Sequence, residues 1–154
     1  MKIKLTSLFA IVSIGFFSGC TPHIPLEPKE ISEQAKMFKL PAKGKAGVYV
    51  YRDSFIGQAI TKNIWIDNKC LGKSKNKVFF YQDVEGDMEH NISTQSEFSP
   101  NILSIKMASD KNYYIRQYIK MGVFIGGSNL ELMDEKEAQK VISTLDMGKN
   151  GICE

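Results

Sequence analysis

Arginine and histidine are almost missing from this sequence: of 20 basic residues only Arg52 and Arg116 are arginines, and His23 and His90 are the two histidines. One histidine in the body of the chain leaves little for acid-base or multi-histidine metal chemistry. No G-x-S-x-G elbow, phosphate-binding loop or dinucleotide fingerprint occurs, so no nucleophile or nucleotide-binding class is announced by a motif. Long apolar runs are lacking too. The run from Leu5 to Phe17 is 13 residues, whereas a membrane-spanning helix needs about 20. Charge of one sign is also lacking. The formal charge is +3, and removal of residues 1–19 takes away Lys2 and Lys4, leaving 18 basic against 17 acidic side chains, or +1. The lysines lie scattered among acids, which excludes the basic face of an electrostatic nucleic-acid binder. At 154 residues the chain accommodates one globular domain.

What is present begins at the amino terminus. "MKIKLTSLFAIVSIGFFSGC" has a basic front, an uncharged apolar stretch and small residues before a cysteine, the layout of a secretory signal. Ser18-Gly19-Cys20 resembles the bacterial lipobox, with Phe17 where leucine is usual. That resemblance implies a signal peptide over 1–19 and an acylated Cys20 as first mature residue. Two or more acyl chains hold a protein durably on a bilayer. By the same resemblance, Thr21 in place of an aspartate implies the outer membrane; the domain is expected to face the periplasm, with the cell surface as the alternative.

With Cys20 on lipid, Cys70 and Cys153 remain as a pairable number in a compartment that permits disulfides. They lack the paired ligand spacing of a zinc site, and no metal or cofactor is expected.

Residues 20–45 form the lipidated terminus, a stalk and a short helix. The prolines of "TPHIPLEP" favour an extended spacer. Ile31, Ala35 and Phe38 share one helical face that ends before Pro41. From residue 46 to 154 short runs rich in Val, Ile, Tyr and Phe alternate with turn residues. Strands are expected at 47–53, 63–67, 78–84, 90–97, 101–107, 113–121 and 129–133, with "DNKCLGK" and "ASDKN" as hairpin turns. About seven such strands read as an antiparallel β-sandwich. The apolar run 118–127 reads as a strand buried on both faces, the alternative being an exposed patch or sheet edge that binds a partner. Asp134 and Glu137 open a last helix whose stripe of Ala138, Val141, Ile142 and Leu145 packs on the sheet.

"KAGVYVYRDSFIGQAI", "IWIDNKCLGKS" and "YYIRQYIKMGVFIGGSNLELMDEKEAQK" together resemble a family of bacterial lipoproteins that carry a domain of unknown function. "IDNKCLGK" with "VEGDMEHNIST" also resembles the PEGA-type sandwich pattern, although Gly86 and His90 stand four apart instead of two. These resemblances imply an extracytoplasmic β-sandwich with no established activity.

Arg52 and Arg116 are the sharpest candidates for a site. A guanidinium fork suits carboxylates and phosphates, and a chain that otherwise uses lysine has a reason to use arginine twice. Alternation puts Arg52 on the face of Val48 and Val50. Two readings stay open: structural ion pairs with Asp53, Glu97 or Glu131, or a shared anion pocket lined by Tyr49, Tyr51, Tyr114 and Tyr118. The expected role is non-catalytic binding or scaffolding for an envelope protein, peptide or glycan, with the membrane contacted through the lipid. The rival is an envelope hydrolase or modifying enzyme using His90 with Glu85, Asp87 and Glu89.

Overall fold

The computed structural model describes residues 23–123 and 126–153; the signal segment 1–19 and Cys20 lie outside them. Helix α1 (Lys29–Ala35) is followed by strands β1 (Lys45–Arg52), β2 (Lys62–Ile66), β3 (Lys69–Ser74), β4 (Val78–Glu85), β5 (Met88–Thr94), β6 (Asn101–Met107), β7 (Lys111–Lys120) and β8 (Gly127–Leu132). Helix α2 (Glu135–Ile142) and a two-residue strand β9 (Asp146–Met147) close the chain. The strands form a five-stranded sheet, ordered β8-β7-β1-β4-β9, and a four-stranded sheet, ordered β3-β2-β5-β6. The molecule is a β-sandwich with helices on one outer face.

Strand β1 explains the layering. Ala46, Val48 and Val50 point between the sheets, where they meet Ile64, Leu71, Phe80, Ile92 and Ile115. Tyr49 and Tyr51 point the other way, into a second core with Phe79, Tyr114, Ala138, Ile142 and Leu145 beneath the helices. A central strand covered on both sides must be apolar at every position, which "AGVYVY" satisfies. The Phe80 ring lies against Gly72 of β3 and Gly148, and a Cβ at either glycine would overlap it. Those glycines let the ring fill the space between the sheets.

The helices are held by hydroxyl groups from the second core. Tyr49 stacks on Tyr114 with ring centroids 5.1 Å apart, and its hydroxyl donates to Ala35 O at 2.9 Å. Gln139 Nε2 donates to the Tyr114 hydroxyl at 2.8 Å. At the start of α2 the Asp134 carboxylate accepts from Lys136 N and Glu137 N, satisfying amides that the helix leaves open.

Several sequence expectations are corrected. β1 pairs with β7, and β4 with β9, in parallel; the other strand pairings are antiparallel. "DNKCLGK" is not all turn: Asp67 and Asn68, both at positive φ, make a two-residue reversal, and Lys69–Ser74 is strand. "ASDKN" joins no hairpin, because β6 and β7 belong to different sheets. The run 118–127 is not a strand covered on both faces, since Met121 and Val123 lie exposed beyond the end of β7. "TPHIPLEP" is not a free stalk along its length. Ile24 is buried, Leu26 bridges Gly148, and Glu27 N donates to Met147 O at 2.8 Å.

Candidate functional site

The two arginines lie on opposite faces of one sheet. Arg52 points into the sandwich and is fully buried; Arg116, in register with Tyr51, points to the outer face. They share no pocket. Tyr49, Tyr51 and Tyr114 are buried under the helices, so they line no common anion site either.

Arg52 meets no acid among its hydrogen-bond partners. Its Nη1 donates to Ile60 O at 2.7 Å, its Nη2 to Gly57 O, and its Nε to Ser54 Oγ at 3.2 Å. Burial pushes its guanidinium down to about 10, still charged at neutral pH. The planar fork gathers the loop 53–61 and folds it back over the end of the sandwich. Lysine, with a single nitrogen, cannot span those acceptors.

Arg116 is half-buried between two carboxylates, with Nε 2.7 Å from Asp53 Oδ1 and Nη1 3.2 Å from Glu131 Oε1. Burial alone would lower its guanidinium, but the bonds to Asp53 and Glu131 outweigh that and raise it. Burial first, and then the Asp53 charge, pushes the neighbouring Tyr51 phenol up to about 12. Arg116 borders a cleft of about 370 Å³ with Phe55, Ile56, Tyr118 and Ile119. One cation beside two carboxylates gives this cleft a net negative charge, the wrong sign for an anion.

His90 is buried with both ring nitrogens engaged. Nδ1 is 2.6 Å from Asp67 Oδ2 and Nε2 is 2.7 Å from Glu85 O. The ring therefore presents neither nitrogen to a substrate, although it borders a recess of about 240 Å³. Glu85 and Asp87 are held elsewhere, by Lys45 and Ser109.

Asp67 makes this contact pH-sensitive. Burial would raise its carboxyl, but the Asn91 amide, at 2.9 Å, and His90 outweigh that and hold it below the ordinary value of 3.8. A carboxyl depressed on folding contributes stability that is present above its unfolded value and lost as pH falls through the folded one. Urea unfolding between about pH 6 and 2 should show stability falling below about pH 4, with a smaller loss in Asp67→Asn. Glu85 and Asp87 shift in the same direction, so the variant shrinks the acid loss without abolishing it.

The remaining feature is the end of the sandwich that Arg52 closes. Lys77 N donates to Arg52 O at 2.9 Å and Gln95 N to Asn63 O at 3.0 Å, while Lys120 pairs with Gly127. These contacts bring the loops 53–61, 75–77 and 95–100 and residues 121–123 to one end. Val123 N donates to Glu97 Oε2 at 2.8 Å, tying two of them together. Below lies a buried polar cluster: Gln117 Nε2 donates to Thr94 Oγ1 at 2.5 Å, Thr94 meets Ser128 Oγ at 2.9 Å, and Ser128 Oγ donates to Gln95 O at 2.5 Å. On this fixed base stand Phe55 at 88% exposure, Phe98 at 78%, Met121 at 88% and Val123 at 75%. Sequence reasoning missed Phe55 and Phe98, and held the exposure of Met121 and Val123 only as the alternative for the run 118–127. Their signal was a large apolar residue inside turn chemistry, as in "DSFIGQ" and "SEFSP", where nothing local requires one.

Among the described residues no group of three His, Cys, Asp or Glu side chains could hold a metal ion, and no helix is long and apolar enough to cross a membrane. Cys70 and Cys153 are joined by a disulfide.

Residues 42–128 match the family described as protein of unknown function, DUF2846. An uncharacterized protein of Haemophilus influenzae strain Rd is 48% identical over 144 residues, covering 94% of this chain and 85% of that protein. No solved structure matches. The matched range takes in β1 to β7 and the first residues of β8, so α2 and Cys153 lie beyond it.

Proposed function

We propose, from the premise that this chain belongs to the DUF2846 family, that it is a lipid-anchored cell-envelope protein whose sandwich binds or scaffolds a partner without catalysis. The observation that carries this reading is the Cys70–Cys153 disulfide. Disulfides persist in oxidising compartments outside the cytosol, and this pair leaves one cysteine over. That cysteine is Cys20, which follows the basic front, apolar run and small residues of an export signal. Acylation there accounts for the leftover thiol and for the address together.

The non-catalytic part rests on the ionisable groups described above. Arg52 holds a loop, Arg116 holds Asp53 and Glu131, and His90 holds Asp67. Thr21 behind the lipobox-like cysteine supports the outer membrane, and the reading puts the domain on its periplasmic side. The partner class is an envelope protein, peptide or glycan.

Metabolic labelling with a fatty acid in a bacterial host tests the anchor. The full chain should incorporate label and sediment with membranes, and Cys20→Ala should lose both. Membrane retention of the variant without label would refute it.

A further inference from the structure

We infer that the loop end of the sandwich is a membrane-facing surface, with Phe55, Phe98, Met121 and Val123 seated in the headgroup region of the bilayer that holds the Cys20 lipid. The inference rests on the acylation of Cys20 proposed above and adds an orientation and a contact surface to it.

The first support is reach. His23 and Ile24 border a recess together with Gln58, Lys75, Asn76 and Lys77, so the chain meets the body of the protein at the loop end. Ile24 is buried and Leu26 is bridged to Gly148. Only the residues between Cys20 and Ile24 separate the lipid from the folded body, and four residues span at most about 14 Å when fully extended. That gap is too narrow for a folded domain to lie between the loop end and the bilayer. The lipid surface itself is the occupant that fits.

The second support is chemistry. The exposed apolar side chains rise from three separate loops onto one end, and large apolar groups in such a position gain by entering the headgroup and acyl boundary. Lys77 and Lys120 stand at the same end, where anionic headgroups attract basic side chains. Of the acids there, Asp53 and Glu131 share Arg116 and Glu97 accepts from the Val123 amide, while Asp146 borders the same recess as Lys77. The buried Arg52 and the Thr94, Gln117 and Ser128 cluster keep the loops in place, so little ordering is needed on contact.

The opposite end serves as an internal control. Met88, at the start of β5, is exposed there among Glu85, Asp87 and Glu89.

The test uses the full, lipidated chain purified and reconstituted into vesicles of phosphatidylethanolamine and phosphatidylglycerol with brominated acyl chains. Phe55→Trp, Phe98→Trp, Met121→Trp and Met88→Trp each add one indole to the native Trp65, and the unsubstituted chain supplies the background. Relative to unbrominated vesicles, the signal added at 55, 98 and 121 should fall about twofold while that at 88 stays unchanged, as interfacial burial at one end requires. Equal quenching at 88, or none at the three loop positions in protein that carries the fatty-acid label, would overturn the orientation and leave the anchor standing. Protein that incorporates no label would remove the anchor, and the orientation with it.

Discussion

Serine at both Cys70 and Cys153 is expected to lower the unfolding free energy by about 4 kcal/mol, because the bridge closes a loop with a sequence separation of 83 residues and the chain-entropy account scales with that length. The cross-link mainly restricts the unfolded chain. In the folded state the tail has other ties: Gly151 N donates to Leu71 O at 2.9 Å and Gly148 N to Phe79 O at 2.8 Å, and Asn150 Nδ2 donates to Tyr81 O at 2.8 Å. The double variant should therefore retain the sandwich at low temperature and unfold at a lower urea concentration. Reduction of the natural chain should move its midpoint by a similar amount. A midpoint unchanged in both experiments would show that the unfolded chain gains nothing from release of the bridge.

Removal of the Arg52 fork should have an effect of similar size by a different route. Arg52→Ala leaves the carbonyls of Gly57 and Ile60 without their charged donor, opens a cavity in the sandwich and releases the loop 53–61. Charge-assisted hydrogen bonds contribute about 1.5–3 kcal/mol each, so a loss of about 3–5 kcal/mol is expected, or roughly 10 to 20 °C in melting temperature for a domain of this size. Arg52→Lys should recover only part of it, because one ammonium cannot reach both carbonyls and Ser54. Arg116→Lys is the comparison. Its ion pairs are partly exposed and should matter far less. Equal melting temperatures for Arg52→Lys and the natural chain would show that the loop needs no fork.

How much of this was legible in the sequence depends on whether the signal was local. The last helix was, because Asp134 as its cap and the stripe of Ala138, Ile142 and Leu145 follow from helical spacing alone. The two-sided burial of β1 was half legible: "GVYVYR" announces a strand, but which tyrosines lie under a helix depends on α1 and α2, both outside the strand's own signal. β3 was hidden because Asp67, Asn68, Lys69 and Gly72 carry turn chemistry, while Gly72 is present to admit the Phe80 ring. The exposure of Met121 and Val123 was misread because burial was inferred from composition, and an apolar loop has the same composition as a core strand. Of the site, the scarcity of arginine singled out both positions. Of the two open readings, the shared pocket did not hold, since β1 presents position 52 and β7 position 116 to opposite faces, whereas Arg116 does pair with Asp53 and Glu131.

The parallel pairing of β1 with β7 has a consequence for the order of events during folding. Ala46 waits for Lys111, and the far edge of the same sheet waits for Asp146. The central strand is thus among the first segments to leave the ribosome and among the last to gain both neighbours. Such long-range closure slows folding. A chain synthesised from its amino terminus therefore cannot complete the five-stranded sheet until nearly all of it has emerged, which leaves a long interval in which its largest layer has yet to acquire a shape.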